Sequence, residues 1–208
     1  MTMNQRERML AGLPFKIWED GLLDDLVRTK MLLYKYNHCK PNKSKRLDKL
    51  IRKILNKAGS WICIDQPFHC DFGSNISVGE NFYANRNCTI LDCGRVTIGD
   101  EVLFGPNVSV FTAGHPIHPE SRNSRYQYGI EVTIGNNVWV CGNVVINPGV
   151  KIGNNVVIAS GSVVTKDIED DVLAAGNPCR VIRKITEEDR KYYFKDRVFD
   201  VDDYLRHD

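Results

Sequence analysis

A histidine, His115, lies where a regular sequence pattern stops. It belongs to the run Thr112-Ala-Gly-His-Pro-Ile-His-Pro119, and a polar stretch from 120 to 129 follows. A neutral imidazole can accept a proton near pH 7, so His115 is a candidate general base. A histidine beside a proline is more often structural, but a long loop that leaves a rigid scaffold and has no regular structure of its own is usually functional. The position of His115 therefore favours a catalytic role.

The scaffold that would position His115 has a period of six residues between Ile134 and Ile168. A helix repeats near 3.6 residues and a strand at 2, so this period indicates a short strand and a corner, repeated. Three such strands close one triangular coil, and stacked coils make a parallel β-helix, a solenoid fold. We therefore expect Ile134 beside Ile152, one coil of eighteen residues away. The inward positions, all but one of them Val or Ile, are Ile134, Val138, Val140, Val144, Ile146, Val150, Ile152, Val156, Ile158, Ser162, Val164 and Ile168.

The same register continues upstream, from Val78 to Val110, with two extra residues near Cys93–Gly94. Gly and Asn follow many of the inward positions, and both tolerate the positive φ that a tight corner needs. Cys70 and Cys88 are eighteen residues apart and could stack in neighbouring coils. Small core side chains that share a column are the favoured interpretation of this pair.

Segments with a helical period precede and follow the coil. Leucine and isoleucine spacing predicts two amphipathic helices separated by Pro41. The stretch from 40 to 57 holds eight Lys or Arg against one Asp, and it could bind phosphate groups, although a solvated helix face is the favoured interpretation. Thr186-Glu-Glu-Asp189 has the form of a capping box, which would open a last helix over the end of the coil. The predicted parts are a helical segment 1–58, a β-helix 59–185 with an extruded loop near 115–132, and a helix and tail 186–208.

Composition argues against several classes of function. The 208 residues suggest about one domain, and a net charge of +2 gives no reason to expect a nucleic-acid partner. No apolar stretch is long enough to span a membrane and no signal peptide is evident, so we expect a cytoplasmic protein without a membrane partner. Seven cysteines without a CxxC pair argue against a zinc ribbon and against a disulfide framework.

Six runs between residues 81 and 180 form a known pattern. They are Asn81-Phe-Tyr-Ala-Asn85, Gly114-His-Pro116, Ile134-Gly-Asn-Asn-Val-Trp139, Val145-Ile-Asn-Pro-Gly149, Val164-Thr-Lys-Asp167 and Ala174-Ala-Gly-Asn-Pro-Cys-Arg180. The chain resembles the hexapeptide-repeat sugar O-acetyltransferases, the maltose, galactoside and nodulation-factor group. The resemblance implies a mainly β fold, a left-handed parallel β-helix with N-terminal helices and a C-terminal capping helix. It also implies acetyl transfer from acetyl-CoA to a sugar hydroxyl without a metal, in a homotrimer whose active sites lie between subunits.

The resemblance assigns roles to individual residues. His115 matches the catalytic base, and the backbone amide of Gly142 would donate to the oxyanion of the tetrahedral intermediate. Trp139 would line the channel for the pantetheine arm, and cationic residues suit the phosphates of CoA. The acceptor sugar would contact Asp71, Tyr83, Asn85, Cys93 and Gln127. Acetyl-CoA would contact Asn85, Trp139, Gly142, Ser160, Thr165, Lys166, Arg180 and Arg183.

The acceptor residues depart from those of the galactoside enzymes. By the resemblance, those enzymes carry Asp, Ser, Asp and Met where this chain has Ile17, Asp71, Cys93 and Gln127. We therefore expect a maltose- or glucoside-like acceptor. Two alternatives stay open: a hexapeptide acyltransferase that acts on an antibiotic, an amino sugar or serine, and a γ-carbonic-anhydrase-like or non-catalytic solenoid. A zinc site of that kind needs three imidazoles at fixed spacing, and the loop offers only two.

Overall fold

The computed structural model describes residues 3–201, and its centre is a coil of short parallel β-strands. The helices are α1 (Gln5–Leu10), α2 (Leu22–Asn37), α3 (Ser44–Ile54), α4 (Pro119–Asn123) and a 3-10 helix (Glu187–Lys191). The strands are β1 (Lys57–Ala58), β2 (Ile62–Ile64), β3 (Phe68–Cys70), β4 (Ile76–Val78), β5 (Phe82–Ala84), β6 (Cys88–Leu91), β7 (Val96–Ile98), β8 (Leu103–Phe104), β9 (Ser109–Phe111), β10 (Ala113–Gly114), β11 (Tyr128–Gly129), β12 (Val132–Ile134), β13 (Trp139–Val140), β14 (Val145–Ile146), β15 (Lys151–Ile152), β16 (Val157–Ile158), β17 (Val163–Val164), β18 (Val172–Gly176), β19 (Cys179–Lys184), β20 (Tyr192–Phe194) and β21 (Arg197–Val198).

Three parallel sheets form the three faces of the coil. Face 1 contains β1, β4, β7, β12 and β15, and face 3 contains β3, β6, β9, β14 and β17. Face 2 contains β2, β5, β8, β13, β16 and β18, with β19 antiparallel at its edge. The chain visits faces 1, 2 and 3 in turn, so the predicted parallel β-helix is confirmed. The left hand of the coil stays a prediction.

The hexad positions make the core, as the period predicted. Ile134 pairs with Ile152, and Ile146 pairs with Val164. Every inward hexad residue is buried, and a fully buried branched side chain contributes roughly 1.5–3 kcal/mol. Ser162 is the one inward residue that is neither Val nor Ile. Its buried hydroxyl has a hydrogen-bond partner, because it donates to the Ala159 carbonyl at 2.6 Å. The core is therefore continuous from coil to coil.

The first coils are longer than the later ones. Phe68 pairs with Cys88 and Cys70 pairs with Ile90, so each of these coils has twenty residues. The spacing of eighteen therefore does not bring Cys70 and Cys88 into register, although both are buried. The two extra residues lengthen the corner between faces 3 and 1, and that corner includes Cys93.

The two predicted helices are present as α2 and α3, and Pro41 lies between them. Leu33, Ile51 and Ile54 from these helices join the core at the first coil. Met31 shares the helical spacing but is 56% exposed, because it lies on the outer face of α2. The short helix α1 was not predicted.

The C-terminal part differs from the predicted helix. Thr186 and Asp189 do form a capping box, but it opens a 3-10 helix of five residues. The strands β20 and β21 then pair antiparallel. The aromatic run Tyr192–Phe194 favours a strand, which explains why the helix stops. The predicted tail at 202–208 lies outside the described residues.

Candidate active site

Two corners of the coil carry most of the candidate site residues. The amide corner joins face 2 to face 3 and includes Asn85 and Gly142. The acidic corner joins face 3 to face 1 and includes Asp71, Asp92 and Cys93. Face 3 separates them, and its strand β6 has four residues, a length of roughly 13 Å. Within one chain the two corners are therefore too far apart for direct contact.

Asp92 is a buried carboxylate at the acidic corner. It accepts hydrogen bonds from the backbone N–H groups of Asp71 at 3.0 Å, Phe72 at 2.9 Å and Asn75 at 3.3 Å. Burial raises the pKa of Asp92 to about 6, although the donors from Phe72 and Asn75 favour the charged form. Sequence reasoning missed this residue. The sequence does carry a signal for it, because Asp92 comes directly after an apolar strand. An aspartate in such a turn position commonly accepts hydrogen bonds from nearby backbone N–H groups.

Two predicted acceptor residues, Asp71 and Cys93, meet at this corner. Cys93 Sγ lies 3.9 Å from Asp71 Oδ2, where a thiol can act as a weak donor. Burial raises the pKa of Cys93 to about 12, so the thiol keeps its proton. Burial also raises the pKa of Asp71, and the nearby Lys30 ammonium on α2 opposes that effect. Lys30 is a second residue that sequence reasoning did not select.

The segment before α2 packs onto the acidic corner. The Phe15 N–H donates to the Gln127 carbonyl at 2.8 Å, and the Gln127 N–H donates to the Phe15 carbonyl at 3.1 Å. Phe15 is buried in an apolar cluster with Phe72 and Cys93, and Ile17 packs against that cluster. The residues that depart from the galactoside enzymes are thus gathered in one place.

The extruded loop is anchored on the same corner. Thr112 Oγ1 donates to the Leu91 carbonyl at 2.6 Å and accepts from the Gly94 N–H at 2.8 Å. A Cβ at Gly94 would lie 2.9 Å from the Gly129 carbonyl carbon, so glycine is needed for the returning strand to approach. These contacts fix both ends of the loop to the coil.

The loop has regular structure, contrary to the expectation. The strands β10 and β11 pair antiparallel at its base, and α4 begins with Pro119 at its first turn. His115 directly follows β10, and its side chain is exposed. A two-stranded ribbon therefore positions His115 at a defined point beside the acidic corner.

The amide corner is built from amide and backbone groups. Asn85 Oδ1 accepts from the Arg86 N–H at 2.8 Å. The Gly142 carbonyl accepts from the Gly161 N–H at 3.0 Å, whereas the Gly142 N–H has no hydrogen-bond partner among residues 3–201. Pro106 occupies the same corner position one coil earlier. Closure of the coil therefore does not use this N–H, which is free to bind a ligand.

Face 2 carries a row of outward side chains in register. Tyr83, Leu103, Trp139 and Val157 lie on adjacent strands. Trp139 is 52% exposed and Leu103 is 47% exposed, which gives the face an apolar strip. The Tyr83 hydroxyl donates to Asp65 Oδ2 at 2.9 Å, so the phenol ring is held in place. This row runs beside the amide corner.

The remaining cofactor residues lie further along the coil. Arg183 is on β19, and its guanidinium donates to both carboxylate oxygens of Asp189, at 2.8 Å and 2.6 Å. It pairs with Leu173 at the edge of face 2. Arg183 therefore has a carboxylate partner already, which a phosphate would have to share or replace. The other members of this group, all exposed, are Ser160, Thr165, Lys166 and Arg180.

Within residues 3–201, no helix is both long and apolar enough to cross a bilayer. The same residues contain no group of three or more His, Cys, Asp or Glu side chains arranged to hold a metal ion.

Comparison with known proteins gives consistent matches over most of the chain. Residues 131–166 match the family described as "Bacterial transferase hexapeptide (six repeats)", and residues 8–59 match the "Maltose acetyltransferase hexapeptide capping motif". The galactoside O-acetyltransferase of Escherichia coli K12 is 48% identical over 196 residues, which cover 94% of this chain and 97% of that protein.

Two solved structures have the same fold. A galactoside acetyltransferase in complex with coenzyme A has a TM-score of 0.92 at 46% identity, and covers 96% of this chain and 100% of its own. A maltose O-acetyltransferase from Clostridium difficile 630 has a TM-score of 0.88 at 43% identity, and covers 90% and 100%.

The coil, its capping helices and these matches define a class, the hexapeptide-repeat acyltransferases. Within that class, the chain belongs to the family of the galactoside and maltose O-acetyltransferases. Members of this family are acetyl-CoA-dependent O-acetyltransferases, and the chain is one of them.

Proposed function

We propose that this enzyme moves acetyl from acetyl-CoA to a sugar hydroxyl by direct attack, with His115 as the general base. The observation that carries the proposal is the position of His115, which is exposed and held by a paired ribbon at the start of the loop. A hydroxyl is a poor nucleophile until its proton is accepted as it attacks, and a positioned imidazole can accept it near pH 7.

Direct acetyl transfer has three parts, which are attack by the hydroxyl oxygen, formation of an oxyanion and departure of the CoA thiolate. The imidazole of His115 takes the hydroxyl proton while the oxygen forms a bond to the thioester carbonyl carbon. The carbonyl oxygen becomes an oxyanion, and the free Gly142 N–H is a suitable donor for it. The C–S bond then breaks, and the imidazolium returns its proton to the CoA thiolate. No covalent acetyl-enzyme is required because the thioester is already activated.

The separation of the two corners supports a site shared between copies of the chain. His115, Asp71, Cys93 and Gln127 belong to the acidic corner and its loop, whereas Gly142 belongs to the amide corner. Face 3 keeps these groups apart within one chain, so a complete site needs the acidic corner of one copy and the amide corner of its neighbour. A closed ring of three copies satisfies this for every site, and we propose a homotrimer in the cytoplasm.

For the acceptor, we propose a maltose- or glucoside-like sugar rather than a galactoside. The support is local, since Ile17, Asp71, Cys93 and Gln127 all gather at the acidic corner. Asp71 is half-buried, and a carboxylate in that position can accept hydrogen bonds from sugar hydroxyls.

The test is a transfer assay with purified protein, acetyl-CoA and a panel of maltose, glucosides, galactosides, amino sugars and serine. We expect CoA release to be fastest with maltose or a glucoside. Faster turnover with serine or an antibiotic would contradict the sugar assignment, and faster turnover with a galactoside would contradict the choice among sugars.

A further inference from the structure

A cleft lies between the N-terminal helices and the first coil, outside the site described above. It has a volume of about 240 Å³ and is enclosed by α2, α3 and β2. Leu47, Ile51 and Ile62 give it an apolar floor, while Asp48 and Asp65 supply carboxylates at its rim. Such a mixture of apolar surface and a few polar groups is typical of small-molecule sites.

A second, more open cavity of about 470 Å³ joins the first. The two share Ser44, Asp48 and Cys63 among their lining residues. Trp61 lines the second cavity and is 56% exposed, although a tryptophan side chain is usually covered. An aromatic face beside carboxylates suits a sugar ring, which offers C–H groups on one side and hydroxyls around its edge.

Hydrogen bonds hold the walls of the cleft in place. The Tyr36 hydroxyl on α2 donates to the Ile64 carbonyl. Arg52 on α3 donates to the carbonyls of Gly59 and Ser60, at 2.8 Å each. Arg52 also donates to Asp48 at 2.8 Å. Both helices are thus fastened to the coil on either side of β2, so the cleft exists before any ligand binds.

The cleft opens directly beside the proposed acceptor site. Cys63 on β2 pairs with Tyr83 on β5, so the two outward side chains are one strand spacing apart, about 4.8 Å. Asp65 links the two places, because it lines the cleft and also accepts the Tyr83 hydroxyl at 2.9 Å. Apart from Asn85, the residues expected to bind CoA lie on later coils than Tyr83. An acceptor held at Tyr83 can therefore extend toward the cleft without crossing them.

We propose that this cleft binds the second sugar ring of the acceptor, the ring that is not acetylated. The inference rests on the proposed function, since it takes Tyr83 as an acceptor contact. The small Cys63 side chain leaves the cleft open toward Tyr83, Trp61 offers a face for the ring, and Asp48 and Asp65 accept from its hydroxyls.

The test compares two acceptors, maltose and methyl glucoside, which differ by one ring. Cys63→Phe fills the mouth of the cleft, and Thr97→Phe is the matched control on an outward position of face 1. We expect Cys63→Phe to lower kcat/KM for maltose about tenfold and to leave that for methyl glucoside within about twofold. Thr97→Phe should change neither. The KM for acetyl-CoA should be the same in all three proteins.

Trp61→Ala is the second variant, and it keeps the test valid if Cys63→Phe does not fold. Because Trp61 is exposed, its removal should leave Tm and the methyl glucoside kinetics unchanged while the maltose preference falls. If the variants affect both acceptors equally, or neither, the cleft proposal is wrong. If the wild-type enzyme acetylates neither sugar, the proposed function is wrong, and the cleft proposal, which rests on it, is wrong as well.

Discussion

The amide corner and the acidic corner are stabilised by different hydrogen bonds. At the amide corner, Asn87, Asn107 and Asn143 adopt left-handed φ of 62°, 60° and 58°. Their side chains bond one another, with Asn87 Nδ2 to Asn107 Oδ1 at 2.9 Å and Asn107 Nδ2 to Asn143 Oδ1 at 3.0 Å. At the acidic corner, Asp92 gathers three backbone N–H groups onto one buried carboxylate.

The comparison shows where a repeat can change without losing its core. The amide corner repeats one asparagine arrangement in successive coils, so a neighbouring position can change type, from Arg86 to Pro106 to Gly142, while the turn is kept. The acidic corner is longer by two residues in the first coils, and its sequence differs from coil to coil. Unique side chains such as Asp71 and Cys93 can therefore be placed there. In the proposed site, the amide corner supplies the donor for the oxyanion through Gly142, and the acidic corner with its loop supplies the acceptor contacts and the base.

The largest effect is expected at the amide corner, from Gly142→Pro. Proline removes the N–H that we assign to the oxyanion, and Pro106 already occupies the equivalent position, so the coil should fold. The φ of Gly142 is not in the left-handed region. We expect kcat to fall by about 10²–10³-fold, as for loss of an oxyanion donor, in steady-state kinetics at saturating acceptor.

Gly142→Ala is the matched control, since it keeps the N–H. Its Cβ would lie 3.3 Å from Pro106, which is tight but not blocked. A comparable loss of kcat in the alanine and proline variants would mean that space, not the N–H, is what matters at Gly142.

At the acidic corner, His115→Ala should lower kcat by at least ~10²-fold, the usual contribution of a general base. The binding of CoA, followed by calorimetry, should stay near that of the wild-type enzyme. His118→Ala is the control, because His118 is exposed in the same loop. Wild-type turnover in His115→Ala would show that His115 is not the general base. The proposed assignment of the base to the acidic corner and its loop would then be wrong.

The buried carboxylate makes stability depend on pH. The pKa of Asp92 is raised from 3.8 to about 6 in the folded protein, so the folded state binds the proton more tightly than the unfolded state. The free energy of unfolding from this group is therefore highest below pH 3.8 and falls as pH rises through about 6. Relative to Asp92→Asn, the wild-type protein should lose roughly 2 kcal/mol between pH 4 and pH 7. Urea denaturation at both pH values measures this difference.

Asn75→Ala is the control for the Asp92 variant. It removes the Asn75 Nδ2 bond to the Asp92 carbonyl at 2.7 Å and keeps the carboxylate. It should lower stability by the same amount at both pH values. Parallel pH curves for the wild-type protein and Asp92→Asn would show that this carboxylate does not titrate in the range.

Mixing two inactive variants tests whether the corners come from different copies. Each Gly142→Pro chain keeps a good acidic corner, and each His115→Ala chain keeps a good amide corner. Random trimers from equal amounts should contain both good corners at about a quarter of their sites. Activity should thus rise well above either variant alone after joint refolding. No recovery, or a monomer in light scattering, would contradict a site shared between copies.

The smallest effect is expected away from both corners, at the far end of face 2. Arg183→Gln should raise the KM for acetyl-CoA by about tenfold in low salt and leave kcat nearly unchanged, the result of lost uniform binding. Asp189→Asn frees Arg183 from its ion pair and should not weaken CoA binding. If both variants raise KM equally, the pair serves the C-terminal segment and not the cofactor.

The sequence predicted the coil better than the corners. A period of six specifies inward residues such as Ile134 and Ile152, because burial on one side of a short strand repeats regularly. It could not predict that β10 and β11 pair, since that depends on the close approach of Gly94 and Gly129. Asp92 was missed for a related reason: only the folded corner shows that three N–H groups converge on it. Motif resemblance selected His115, but it could not predict the pairing of β10 with β11 that positions this residue, because the pairing depends on tertiary contacts.

The stacking of strands on face 2 has one more consequence. Trp139, Val157, Leu173 and Arg183 lie on four neighbouring strands, so Trp139 and Arg183 are three spacings apart, roughly 14 Å. Inserting one more coil would move the two ends apart by about 4.8 Å and would keep the same pattern of inward residues. The distance along face 2 between the two ends of a bound ligand can therefore change only by whole numbers of coils.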